Sequence, residues 1–464
     1  MTAPLNLENV QGDILLGGLP KKNETFFLFH IDDAHVKQFC QSLKQVANEI
    51  SHSSHTASAR HAIAKNDSPG LVDLAGANIA FSMAGLKKAT LKSLDLNIKD
   101  REPLFVNGMK AGAAGDSQSL GDPLAPGSTN QPAWESGFTS STTIDGILLV
   151  AGSSADQVAQ KMAEVKSLFG QGTVTEVLSI SGVVRPGAQA GHEHFGFDDG
   201  VSQPGIAGVD DNVPPGQDTI NPGVILCNRQ GSQQQQPDWM TDGSFMCFRK
   251  LKQDVPGWNK FLVDASNKLG TWSDQLGARL VGRWKSGCPV ALSPDFDNTN
   301  IAADPNQINN FDFDQGSNFK CPLGAHIRKT NPRSDLGPRG ANSFVSTTRI
   351  LRRGIPYGKE LSEDPNGERG LLFVCYQSSI SAGFAFLQRT WANNADFPKS
   401  GVGLDAILGQ TSSSGDINMT GLFPQDPSRP LAMAGINPFV VPKGGEYMFS
   451  PSMSALTGVL SDVK

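Results

Sequence analysis

Tyrosine is scarce in this 464-residue chain: Tyr357, Tyr376 and Tyr447 are the only three, against 25 phenylalanines and six tryptophans. Any chemistry that needs a phenolic hydroxyl is confined to those positions. Cysteine is sparse too. Cys40, Cys227, Cys247, Cys288, Cys321 and Cys375 are scattered with no CxxC pair, which argues against a cysteine-rich zinc site. Several stand inside apolar runs such as "FMCF" and "LLFVCYQ" and read as buried thiols. No apolar run approaches the ~18 residues of a membrane span, so no membrane partner is expected. A basic excess is missing as well: the formal net charge is −6, and nucleic acid, which favours a basic face, is not an expected partner. The opening "MTAPLNLENVQGD" has neither the basic start nor the apolar stretch of a signal peptide.

What is present is a repeat of pattern. "TFFLFHIDDAHVKQFCQSLKQVANEI" (Thr25–Ile50) is an apolar run followed by helical periodicity, and "SFMCFRKLKQDVPGWNKFLVDASNKLG" (Ser244–Gly270) has the same order. "GILLVAGSSADQVAQKMAEVKSLFG" (Gly146–Gly170) matches "GLLFVCYQSSISAGFAFLQRTW" (Gly370–Trp391) in the same way. Each reads as a short strand and then an amphipathic helix. With the β runs at Asn78–Met83 and Val174–Val184, the first half follows a split βαβ plan. The expected fold class is α+β, with two ferredoxin-like domains at residues 1–195 and 196–464, antiparallel sheets and peripheral helices.

The chemistry-bearing candidates are few. "SHSSHTASARH" imitates a metal site but is serine-rich and reads as a solvated loop. "GHEHF" puts His192 and His194 on one face if extended, either for a divalent ion or as a polar strand edge. His326 stands alone in "CPLGAHIRKTNPR", an apolar approach followed by cations. A single imidazole there suits an axial haem ligand, with the following Arg and Lys toward propionates; a hydrogen-bonded core histidine suits it too. "RILRRGIPYG" (Arg349–Gly358) sets arginine inside β-type sequence, where burial needs a polar or anionic partner. "FGFDDGVSQP" (Phe195–Pro204) sets Asp198 and Asp199 beside aromatic rings in a glycine-hinged turn.

Taken together, "NVQGDIL" (Asn9–Leu15), "GFDDGVSQP", "HIRKTNPR" (His326–Arg333), "RRGIPYG" (Arg352–Gly358) and "RTWANNADFP" (Arg389–Pro398) resemble the fungal dye-decolorising peroxidases over nearly the whole chain. The resemblance implies two ferredoxin-like domains of the dimeric α+β barrel type and one haem b per chain, held mainly by the C-terminal half. It implies that Asp199 is the acid–base residue handling hydrogen peroxide, Arg352 its charged partner, and His326 the axial ligand of the haem iron. Asp405 falls at the position that orients His326, and Asp198 at a structural one. Leu371 and Phe373 are candidate pocket walls. Peroxide would be reduced to water, and aromatic dyes and phenols oxidised in one-electron steps.

Bulky substrates cannot touch a buried haem, so the electron must pass through Trp or Tyr. Tyr357, five residues after Arg352, and Trp391, read as a surface rim because polar "ANNAD" follows it, are the candidates. The acidic group Glu360, Glu363, Asp364 and Glu368 raises Mn(II) as a further substrate. A second reading on the same scaffold is a haem-handling protein with incidental peroxidase activity; a zinc hydrolase built on the early histidines lacks a clustered ligand set. The resemblance favours a secreted protein, with a cytoplasmic one left open.

Overall fold

The computed structural model describes residues 4–65, 75–89, 98, 101–110, 115–410, 417–423, 425–433 and 439–462. Its centre is a sheet of nine antiparallel strands. We number them β1 (Asn23–Ile31), β2 (Ala75–Phe81), β3 (Gly146–Gly152), β4 (Val174–Val183), β5 (Ser244–Gln253), β6 (Leu351–Arg352), β7 (Ile355–Tyr357), β8 (Gly370–Gln377) and β9 (Val440–Ser450). The spatial order is β4-β1-β3-β2-β9-β5-β8-β6, with β7 also paired to β8. Each half therefore runs fourth, first, third, second, the strand order of a split βαβ unit. The second strand of the second half comes in two pieces. Arg352 pairs with Cys375 and Ile355 with Leu372, so the register is kept across a two-residue gap at Arg353–Gly354.

The halves join where Phe81 of β2 pairs with Phe449 of β9. The sheet also curls until its outer strands meet: a Cβ added at Gly182 of β4 would lie 2.4 Å from Ile355 Cγ2 of β7. Strands buried on both faces explain the unbroken apolar runs, since Phe26, Phe27, Leu28 and Phe29 of β1 are all buried.

Helices cover the outer face. α1 (Val36–Glu49) buries Phe39, Leu43, Val46 and Ala47, one stripe at helical spacing; Phe39 packs on Phe29, Phe81 and Phe169. The expected loop at "SHSSHTASARH" is instead α2 (Ser53–Lys65). Alanines at 57, 59, 62 and 64 favour a helix, and Arg60 donates to the Gly17 and Gly18 carbonyls to fasten it. α3 (Ala155–Leu168) is capped by Ser154, which accepts from Gln157 N–H. α4 (Val255–Leu269) is capped by Asp254 and ends at Gly270 with φ 66°, and α5 (Ser273–Val281) packs beside it. The fourth helix of the repeat is cut short. Phe384–Phe386 is a single turn that continues as a wide π-helical turn, Leu387–Ala392.

Candidate active site

That shortened cover leaves a cleft on the outer face of the second half. Strand alternation supplies one wall: Leu371 and Phe373 of β8 line the cleft, while Leu372 and Val374 between them point into the core. Leu251 of β5 and Val440 of β9 extend this wall, and Phe384, Leu387, Ile407 and Leu408 close it with further apolar surface.

The glycine-hinged turn forms another side. Phe195 stacks on Trp258 at 4.9 Å and Phe197 meets the same ring edge-on at 6.5 Å. The two rings thus anchor the turn in the core, and positive φ at Gly196 (95°) and Gly200 (80°) lets the backbone reverse around them. Beneath the turn, the half-buried Glu193 carboxylate accepts from the N–H groups of Phe195 and Phe197, both at 2.8 Å, and from Gln253. Burial pushes the Glu193 carboxyl up from its ordinary range. Asp199 then projects into the cleft, where its Oδ1 accepts from Arg352 Nη1 at 2.8 Å. Arg352 also donates to Ser202 O at 3.1 Å. Gln203 locks the two segments together: its amide donates to Arg352 O (3.1 Å) and its Oε1 accepts from Arg352 N (3.3 Å). Asp198 takes a different path. Its backbone N–H donates to Lys285 O at 3.1 Å, burial raises its carboxyl above the usual value, and the ion pair with Arg352 belongs to Asp199 alone of the two.

His326 opens a one-turn helix, α6 (His326–Thr330), and lines the same cleft. Its Nδ1 is 2.8 Å from Asp405 Oδ2. Asp405 is buried, and its other oxygen accepts from Ile407 N (2.8 Å) and Leu408 N (2.9 Å). Burial works against its charge, but the adjacent imidazole and the two N–H groups outweigh that and hold the carboxyl below its ordinary range. A carboxylate on Nδ1 fixes the ring and leaves Nε2 as the free nitrogen.

The first two cations after His326, Arg328 and Lys329, are not at the cleft. Arg328 pairs with Asp335 at 2.6 and 2.8 Å, and Lys329 donates to Asn394 O at 2.6 Å, with burial lowering its ammonium to about 8. Both turn away because main-chain oxygens and Asp335 satisfy them inside the protein. Four other arginines line the cleft: Arg283, Arg333, Arg349 and Arg352. Burial, reinforced by neighbouring guanidinium groups, lowers Arg283 to about 10, Arg333 to about 9 and Arg349 to about 10. Three depressed guanidiniums on one cleft make a site that favours an anionic ligand. Sequence reasoning passed over Glu193, Arg283 and Arg333. Arg333 was readable within "KTNPR", but its partners, the carbonyls of Gly216, Asn309 and Phe311, lie far away in sequence.

Two expectations about electron exit change. Trp391 is no surface rim: it is 1% exposed, stacked on Phe397 at 5.0 Å and flanked by Phe386 and Phe344. The polar "ANNAD" after it forms a turn from which Asn393 bonds inward, donating to Leu120 O, while Asn394 accepts locally from Asp396 N. Tyr357 lies an odd number of residues from Arg352 and so projects from the opposite face of the sheet. There it is buried, donates to Glu368 Oε1 at 3.0 Å and has Lys250 Nζ 5.0 Å from its ring centroid. In the acidic group, Glu360 pairs with Arg185 and Glu368 with Lys250. His194 is buried and donates from Nε2 to Tyr357 O at 2.9 Å; burial lowers it to about 4, so it stays neutral. Among the described residues no group of three or more His, Cys, Asp or Glu side chains is placed to hold a metal ion.

Comparison with known proteins agrees with this architecture. A family model described as the DyP dimeric alpha+beta barrel domain matches residues 9–186, and one described as Dyp-type peroxidase, C-terminal, matches residues 196–399. A dye-decolorizing peroxidase of Mycetinis scorodonius is 39% identical, covering 99% of this chain and 88% of its own. Another, from Auricularia auricula-judae, is 38% identical over 98% of this chain and 87% of its own. The solved structure of an ancestral D-type dye decolorizing peroxidase superposes with a TM-score of 0.89 at 44% identity, covering 99% of this chain and all (100%) of that one. With its α+β barrel, both family domains matched in succession and relatives similar over nearly all of its length, the chain belongs to the dye-decolorising peroxidases, a family of haem-dependent enzymes.

Proposed function

We propose that the cleft would hold one haem b through His326, and that Asp199 and Arg352 handle hydrogen peroxide. The observation that carries this is the meeting of two hydrogen-bonded pairs, His326–Asp405 and Asp199–Arg352, in a single apolar cleft. The residues fit the group. One imidazole has a free nitrogen, the walls are apolar, and Arg283 and Arg333, held by carbonyl and amide oxygens rather than carboxylates, suit propionates.

The haem supplies the redox centre at which peroxide is reduced and from which substrates are oxidised. The chain supplies the rest. Asp405 holds the His326 ring and raises its basicity. Asp199 takes a proton from one peroxide oxygen and returns it to the other as water leaves. Arg352 stabilises negative charge developing on the departing oxygen. Leu371, Phe373 and Leu387 exclude water around both.

The substrates are dyes and phenols, oxidised in two one-electron steps per peroxide. Trp391, one turn beyond the cleft-lining Leu387, serves as a buried relay toward the surface at Phe344, which is 54% exposed. Tyr357 serves the opposite face of the sheet. The acidic group gives Mn(II) no support, because Glu360 and Glu368 are committed to Arg185 and Lys250.

Stopped-flow mixing with peroxide tests the assignment. Asp199→Asn should slow the peroxide step by roughly 10²-fold or more, the scale of general acid–base catalysis, and Asp198→Asn should leave it nearly unchanged. Equal losses in both variants, with the Soret band intact, would overturn the role given to Asp199.

A further inference from the structure

All three tyrosines of the chain donate their hydroxyl to a carboxylate: Tyr357 to Glu368 at 3.0 Å, Tyr376 to Asp13 at 3.1 Å and Tyr447 to Asp116 at 2.5 Å. Strand register separates them. Tyr447 of β9 stands opposite Cys247 of β5, Cys247 opposite Cys375 of β8, and Cys375 opposite Arg352 of β6. Directly paired residues share a face, so these four side chains form one row across the sheet on the face that carries the cleft. Tyr376 and Tyr357 project from the other face. Tyr447 is also near the cleft wall itself: its ring centroid is 6.4 Å from Phe384, which is 5.9 Å from Phe373. Both Tyr447 and Asp116 are buried, and Arg389 pairs with Asp116.

We propose that Tyr447, with Asp116 as its proton acceptor, is an internal redox station of the peroxidase. The proposal rests on the haem reading of the cleft. When no reducing substrate is at hand, Tyr447 gives one electron to the peroxide-oxidised centre. Its O–H bond breaks, the proton moves to Asp116 Oδ2, and a neutral phenoxyl radical remains. A dye or phenol later returns the electron, and the proton goes back from Asp116 to the phenolic oxygen. The carboxylate is what makes this feasible. Oxidising a phenol that kept its proton would create a cation in a buried, low-dielectric place, whereas a base already hydrogen-bonded to the hydroxyl removes that charge as it forms. Arg389 favours the ionised Asp116 and so favours the return of the proton. The result is a place to hold an oxidising equivalent away from the haem cleft without exposing it to water.

The test is freeze-quench electron paramagnetic resonance on the holoenzyme, mixed with one equivalent of peroxide and no reductant, with the Soret band recorded in parallel. The Soret response to peroxide reports on the haem reading independently of any radical. Tyr447→Phe should lose a tyrosyl component that Tyr357→Phe retains, with an unchanged rate of peroxide reaction. Asp116→Asn keeps the phenol and the side-chain shape. It should lower the tyrosyl yield several-fold and abolish the slowing of radical formation in D2O. It decides the matter alone if Tyr447→Phe does not fold. A tyrosyl signal unchanged in Tyr447→Phe, or in Asp116→Asn, beside a normal Soret response would overturn the proposal while leaving the haem assignment standing.

Discussion

The two halves of the sheet share one strand order and differ in two places. In the first half the second strand, β2, runs unbroken over Ala75–Phe81, and the helix after the third strand, α3, is a regular 14 residues that seats Val158, Met162 and Val165 on the sheet. In the second half the second strand is split at Arg353–Gly354, and the corresponding helix is a three-residue turn running into a six-residue π-helical one. A full-length cover closes the sheet face; a truncated cover leaves it open as a cleft, with Gly354 on its lining. The site therefore arises by subtraction from a repeated plan. The polar groups around it, Asp199, Arg352 and His326, come from the loops and strand ends that the subtraction exposed. Irregular helical turns are frequent at functional sites for this reason.

The largest expected effect comes from removing the group the first half has no counterpart for. His326→Ala should abolish the Soret band of the purified protein, or let haem wash out on gel filtration, with far-ultraviolet circular dichroism unchanged; retained haem with a native spectrum would separate His326 from the cofactor. Asp405→Asn should be milder, lowering haem retention or peroxide turnover roughly 10–100-fold, as loss of a group behind a metal-bound histidine does. Making the second half resemble the first is the next step. Gly354→Val puts a side chain where an added Cβ would meet Leu372 O at 3.0 Å and Leu371 Cδ1 at 3.5 Å. Haem loading in a titration should fall several-fold while thermal unfolding shifts little, and full loading would show that the break in the strand is not what opens the cleft. Trp391→Phe keeps the aromatic cluster but removes the oxidisable indole. Turnover of a bulky anthraquinone dye should drop about tenfold, about 1.4 kcal/mol in barrier, with the peroxide step and small-phenol turnover nearly intact.

The effect on activity is smallest at the seam between the halves, where a change falls on stability instead. Glu102 of the first half is fully buried and accepts from Ser381 Oγ, after β8, at 3.3 Å. Burial raises its carboxyl to about 7. Because the folded value lies above the free one, its contribution is fully present below pH 4.5 and is lost as pH rises to about 7. Glu102→Gln should therefore stabilise the protein at neutral pH by up to roughly 3 kcal/mol and change little at pH 4.5. Melting temperatures at the two pH values check the sign, and an equal shift at both would exclude titration as the cause.

Much of this was readable in the chain. Long buried strands followed by amphipathic helices write their periods plainly, so β1–α1, β3–α3 and β5–α4 stood out as repeats. β6 and β7 did not, because two- and three-residue strands have no period to detect. Asp199, Arg352, His326 and Asp405 were found through motif order, and the structure brings them together in two pairs. The arginine cluster was hidden for a physical reason. Arg283 and Arg333 are held by carbonyls and amides such as those of Asn309 and Phe311, and a carbonyl partner leaves no mark on composition. Trp391 misled because polarity after a residue says nothing about what packs on it from elsewhere, here Phe344 and Phe397.

The position of β9 has a consequence for how the protein comes into being. It is the last strand in the chain, yet it lies in the middle of the sheet, between β2 of the first half and β5 of the second. A ribosome must deliver residue 450 before either neighbour gains its partner, so until then β2 and β5 each have an unpaired edge of the kind that invites association with other chains. Sheet completion in this topology waits on contacts distant in sequence, the slow and aggregation-exposed class of folding event. Losing β9 would not trim a tail; it would divide the sheet at its centre.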